Sequence, residues 1–232
     1  MMATVATSRP MRARVQTGSL DQRLLAWVPA VALAIVAVQT VGHVVDWLAF
    51  DLDVKLLDAD SDLCIYAWVA TVSIFLAAIG FFVIDRIVPP AGLRRYLAVL
   101  LAFLSLDEMV GIHEHIGKVA EWAGFSEDAG RAIWPLVYLP LIGGAAVLLW
   151  RFAEREQAPG RRYIQGGLLF LGGAVLLEMG STKLADGQHG RWAYELEVIV
   201  EQNLELVGWA LIGLTVAAAA VRLLDRAPAA SA

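Results

Sequence analysis

Six apolar stretches, near residues 24–50, 63–84, 96–116, 132–150, 163–181 and 194–223, are each long enough to cross roughly 30 Å of hydrocarbon at about 1.5 Å per helical residue. They predict an all-α polytopic membrane bundle of six transmembrane helices. Residues 24–226 form the membrane domain, between a tail at 1–23 and a second tail at 227–232. Composition agrees: 59% of the chain is apolar and 18% charged, against about 25% charge in a soluble domain. The first stretch is too long for a signal-peptide core and lacks a small-residue cleavage signature, so it reads as a retained span. Pro89 and Pro90, and then Ala158, Pro159 and Gly160, mark short hairpin connections.

Orientation follows from Lys and Arg. Thirteen of the 18 lie in the amino-terminal tail, the second and fourth loops and the carboxy-terminal tail; the remaining five are Lys55, Lys118, Arg131, Lys183 and Arg191. The positive-inside rule then places both termini in the cytoplasm, and the expected location is a bacterial cytoplasmic membrane. Trp47, Trp122, Trp134 and Trp192 read as anchors at the outer interface, Trp27 and Trp150 at the inner one. A net charge of −5 argues against a nucleic-acid partner. The single Cys64 excludes an intrachain disulfide framework, a haem attachment pair and a cysteine-based zinc site.

Ionisable groups inside spans cost several kcal/mol each and normally face a bundle interior. Here they are concentrated. Span one carries Gln39, His43 and Asp46 on one helical face; span three carries Ser105, Asp107, Glu108, His113, Glu114 and His115; span five ends in Glu178; span six opens with Glu195, Glu197, Glu201, Gln202, Asn203 and Glu205. Chain direction brings all of these to the outer half of the membrane, while the inner halves of the same helices are almost wholly apolar. At about 100° per residue, Glu197, Glu201, Glu205 and Gly208 follow one stripe of span six and Glu195 points elsewhere. On span three a straight helix puts Asp107, Glu108, Gly111, Glu114 and His115 on one arc with His113 opposite, whereas a bulge near Gly111 would bring His113 round.

Carboxyls crowded in a low dielectric cannot all stay ionised, and no Lys or Arg lies at this depth to compensate them. Protons or metal cations remain. Four-helix sites for two iron or manganese ions take Glu from two helices and Glu-x-x-His pairs from two more. Glu108, Glu114, Glu178, Glu201, Glu205 and His113 or His115 supply those ligand types without that spacing. The expected cofactor is a divalent metal, either iron, manganese or zinc, with Asp107 orienting groups or relaying protons. His43, Asp46 and Glu197 would support the ligands from behind, an aspartate orienting the imidazole; a buried histidine satisfied by a neighbour is the alternative for His43. His189 reads as exposed. The pairs Gly143/Gly144, Gly166/Gly167 and Gly172/Gly173 read as close helix contacts.

The runs SLDEMVGIHEHIG (105–117) and YELEVIVEQNLELVGWAL (194–211) resemble an uncharacterised family of bacterial six-span integral membrane proteins. With hydropathy, the resemblance covers nearly the whole chain. It rests on Asp107, Glu108, His113, Glu114, Glu201, Glu205 and Gly208; it favours His113 over His115, against the straight-helix reading, and implies no activity. Gln202 stands where many relatives have Glu. Two function classes follow. The first is a metal-dependent oxidoreductase or hydrolase acting on a lipid or other hydrophobic substrate. The second is a proton- or cation-coupled transporter, a sensor, or an accessory subunit with another membrane protein as partner.

Overall fold

The computed structural model describes residues 20–61, 64–89, 92–185 and 191–226, with the side chains of 21, 113–114, 117, 127–135 and 179–185 outside the description. All regular structure among these residues is helical, with no strand. The order is α1 (Leu20–Val45), a π-helical turn (Asp46–Phe50), α2 (Ile65–Ile87), α3 (Leu93–Val110), α4 (Ile112–Trp122), α5 (Glu127–Arg155), α6 (Gly160–Ala185) and α7 (Arg191–Arg226). Four segments are long and apolar enough to cross a membrane: Gln22–Phe50, Ile65–Ile87, Leu136–Arg155 and Arg191–Arg226. The helices α3 and α6, which carry arginines at their starts and acids near their ends, lie beside α2 and α7 respectively.

The third apolar stretch is not one helix. Gly111 closes α3 in the left-handed region (φ 63°, ψ 40°), its N–H donating to Asp107 O at 2.7 Å, and α4 leaves from it to lie along α5. Any side chain there would be strained, so glycine allows the sharp break. The straight-helix arc drawn through Gly111 therefore does not exist, and the phase relation between Asp107 and His115 is lost with it.

The central helix is α7, which packs against α1, α2 and α6. The most apolar stretch of α7 is 61% buried, against 22% for those of α1 and α5. Bare backbone makes that centrality possible. A Cβ on Gly208 would meet Leu171 Cγ at 2.7 Å and Gly167 O at 2.9 Å, and one on Gly213 would collide with the Ser73 carbonyl of α2. Small residues give membrane helices their close crossings. Of the glycine pairs expected to do so, Gly167 meets α7 tightly and Gly173 reaches ordinary contact with Leu204. Gly143, Gly144, Gly166 and Gly172 face open space.

The two ends of the bundle differ. Toward the end bearing the chain termini, Phe81, Leu101, Leu149, Ile164, Ile212 and Val216 join five helices in one apolar core, with Phe81 and Phe152 edge to face at 4.8 Å. Arg95 meets Asp85 at 3.1 Å and Arg222 meets Glu156 at 2.6 Å, so buried acids there have basic partners. The opposite end carries the 51–64 connection and the first turns of α7, and there the core gives way to a cavity. Exposed Leu33, Val38, Val72 and Leu169 cover the flanks, the apolar exterior a lipid-facing bundle needs.

Candidate intramembrane acidic cavity

Carboxyls from four parts of the chain line a single cavity of about 630 Å³: Asp60 from the α1–α2 connection, Asp107 and Glu108 from α3, Glu178 from α6, and Glu197, Glu201 and Glu205 from α7. The spacing of the α7 acids explains their convergence, since residues four apart lie one above the other on a helix. Their stripe continues to Gly208, where α6 presses closest, so the same face that holds the crossing opens toward the acids. Below them the wall is Ile74, Leu104, Ile142, Leu149, Leu168 and Leu171, giving the cavity an acidic head and an apolar floor. Among the described residues no Lys or Arg lines it.

The acids differ in their surroundings. Asp107 accepts a hydrogen bond from Tyr138 Oη at 3.1 Å, which ties α3 to α5. Glu205 accepts from Trp209 Nε1 at 3.2 Å, one turn along its own helix. Asp60 accepts from Tyr194 Oη at 2.9 Å, closing the loop end of the cavity. Glu201 lies within electrostatic reach of Glu178, Glu197 and Glu205. Glu197 is the exceptional member: it is only 8% exposed, both of its carboxyl oxygens are buried, and the side chain in hydrogen-bonding reach of it is another carboxyl, Glu201. An ionised carboxylate left so would cost several kcal/mol, so a proton or an external cation has to accompany it.

The remaining sequence candidates fall elsewhere. Asp46 and His43, both fully buried, hold the α1–α2 connection: Val54 N–H donates to Asp46 Oδ1 at 3.1 Å and Ala59 N–H donates to His43 Nδ1 at 2.9 Å. Because Nδ1 accepts, the imidazole proton sits on Nε2, which faces Glu195 Oε2 at 3.4 Å. The carboxylate that faces this histidine is therefore Glu195 and not Asp46. Glu195 is 3% exposed and also lies 3.7 Å from Arg191, which in turn meets Asp51 at 2.7 Å. His115 is exposed, and its Nδ1 sits 2.6 Å from Gly111 O in its own turn. The side chains of His113, Glu114 and Lys183 and the whole of His189 lie outside the described residues. Among the described residues, no three His, Cys, Asp or Glu side chains come together closely enough to hold a metal ion.

Sequence reasoning overlooked three contributors. Glu195 was visible as the acid off the α7 stripe, which is the signal that it serves the α1 side. Tyr138 and Cys64 line the cavity from α5 and from the start of α2, where the Cys64 sulfur accepts from Ala67 N–H at 3.4 Å. Burial pushes the Cys64 thiol up from its ordinary range. A family model described as a domain of unknown function, DUF8692, matches residues 24–221. The chain belongs to that family. The matched range takes in both acidic runs and every helix that lines the cavity, in keeping with the uncharacterised family that those runs resemble. No curated protein and no solved structure matches the chain.

Proposed function

We propose that this chain is a six-span protein of the bacterial cytoplasmic membrane, termini in the cytoplasm, that takes a hydrophobic molecule into the acidic cavity and holds protons on the cavity's carboxyls. The observation that carries this reading is the lining: seven acids, no Lys or Arg among the described residues, and a buried Glu197 whose hydrogen-bonding neighbour is another acid, Glu201. Membrane placement is supported by four helical segments of sufficient length and apolarity among the described residues; the proposal takes α3 and α6 as the other two crossings. Orientation rests on the distribution of Lys and Arg. Carboxyls sharing protons in a low dielectric suit proton-coupled movement of a ligand or a proton relay to a partner subunit.

A second reading has a specific observation in its favour. Glu108, Glu178, Glu201 and Glu205 face one space, and Glu114 and His113, whose side chains are not described, follow α3 directly. With iron, manganese or zinc held there, the protein would be a metal-dependent oxidoreductase or hydrolase, with Asp107 passing protons. We place it second because no described group of three can hold a metal.

The test is elemental analysis of the purified full chain in neutral detergent, combined with unfolding temperatures of Glu201→Gln and Glu205→Gln. An amide mimics a protonated carboxyl, so the proton reading expects sub-stoichiometric metal and variants that melt close to the parent. Stoichiometric iron, manganese or zinc that both variants lose, with a fall in Tm, overturns it in favour of the metal enzyme.

A further inference from the structure

The cavity has two unlike halves, and together they describe a ligand. Its head is acidic and, among the described residues, lacks a basic one, so an anion would meet repulsion from its acids. Its floor is aliphatic, so a small hydrated cation would leave most of the space unfilled. At about 630 Å³ the cavity falls within the roughly 300–1,000 Å³ typical of small-molecule sites. Tyr138, Tyr194 and Trp209 line the same walls and offer the ring faces that attract organic cations. Glu197 adds an independent indication: a carboxyl more than nine-tenths buried, lining the cavity, with buried oxygens and another acid, Glu201, as the side chain in hydrogen-bonding reach.

Access is sideways. Leu139 of α5 and Leu176 of α6 line the cavity and are also 62% and 72% exposed, so its wall between these helices reaches the flank of the bundle. Gly172 lines the cavity there and has no atom within 4 Å of where a Cβ would stand, as is also true of Gly143 across on α5. An opening on the lipid-facing flank admits molecules that already partition into the bilayer.

We propose that the cavity binds an organic cation with an apolar body, its charged centre against the Glu197 carboxylate and its body over Leu168 and Leu171, reached between α5 and α6. This rests on the proposed reading of the same cavity and names its substrate class. The probe is tetraphenylphosphonium, with tetraphenylborate as the anion of the same shape, measured by equilibrium binding to the purified full chain in neutral detergent. Saturable binding of the cation at one per chain is expected, at least tenfold tighter than the borate. Glu197→Gln is expected to weaken it at least fivefold, and so is Gly172→Leu, which puts a bulky side chain into the opening at a position where a Cβ has room. Asp225→Asn, at the far end of α7, is expected to leave it unchanged. Equal uptake of both ions, no saturable binding, or full affinity in both Glu197→Gln and Gly172→Leu would overturn the proposal. Failure here with tolerated Glu201→Gln and Glu205→Gln would remove the ligand class alone; loss of a bound metal in those variants would remove the underlying reading.

Discussion

Glu195 and Glu197 stand two residues apart on α7 and meet opposite worlds. Glu195 faces α1 and the loop, where His43 Nε2 and the Arg191 guanidinium lie within 3.4 and 3.7 Å. Glu197 faces the cavity, where its neighbours are the carboxyls of Glu201 and Asp60. One acid is met by a histidine and an arginine of the protein itself, and the other by carboxyls, so its charge is left for a proton or for something that arrives from outside. The difference teaches that acidity inside a membrane bundle is not one property: the same residue type holds the fold together on one face and stores a binding demand on the next.

That contrast can be broken by substitution. The largest effect is expected from Glu195→Ala, which removes the carboxylate facing the buried His43 Nε2 and the Arg191 guanidinium and should cost about 3 kcal/mol, read as a lowered unfolding temperature in detergent. His43→Ala removes the acceptor of the Ala59 N–H as well as the partner of Glu195, and about 2 kcal/mol is expected. Because the two act on one contact, the double variant should cost less than the sum; strict additivity would show that the 3.4 Å approach carries no coupling. On the cavity side Tyr138→Phe should cost only about 1 kcal/mol, one hydrogen bond to Asp107. The smallest change is expected for Glu197→Gln, within about 0.5 kcal/mol of the parent, since the amide supplies donors where the carboxyl had none. A loss as large as that of Glu195→Ala would erase the distinction between the two faces.

Much of this was legible in the residues, and the failures have physical causes. Apolar length marked every long helix, and the four-residue recurrence of Glu197, Glu201 and Glu205 correctly put them on one wall, because both depend only on helical geometry. The break at Gly111 was ambiguous, since a glycine that allows a left-handed turn looks like a glycine that allows close contact. His43 was paired with Asp46 by proximity along α1, whereas its partner in space is Glu195, 152 positions away in the chain. The open space at Gly143, Gly144, Gly166 and Gly172 was equally hidden, because a missing side chain does not say whether a neighbour or a void faces it.

The meeting of Gly167 with Gly208 has a consequence for height. Moving from that crossing toward the acidic end, Glu178 comes eleven residues along α6 and Glu197 eleven residues along α7. At about 1.5 Å per residue the two carboxyls stand at nearly the same altitude, some 16 Å above a junction of peptide against peptide. Their alignment is thus referenced to main chain, which has no rotamers to change, and a single added methyl group at the crossing would be felt as a misregistration about three turns away.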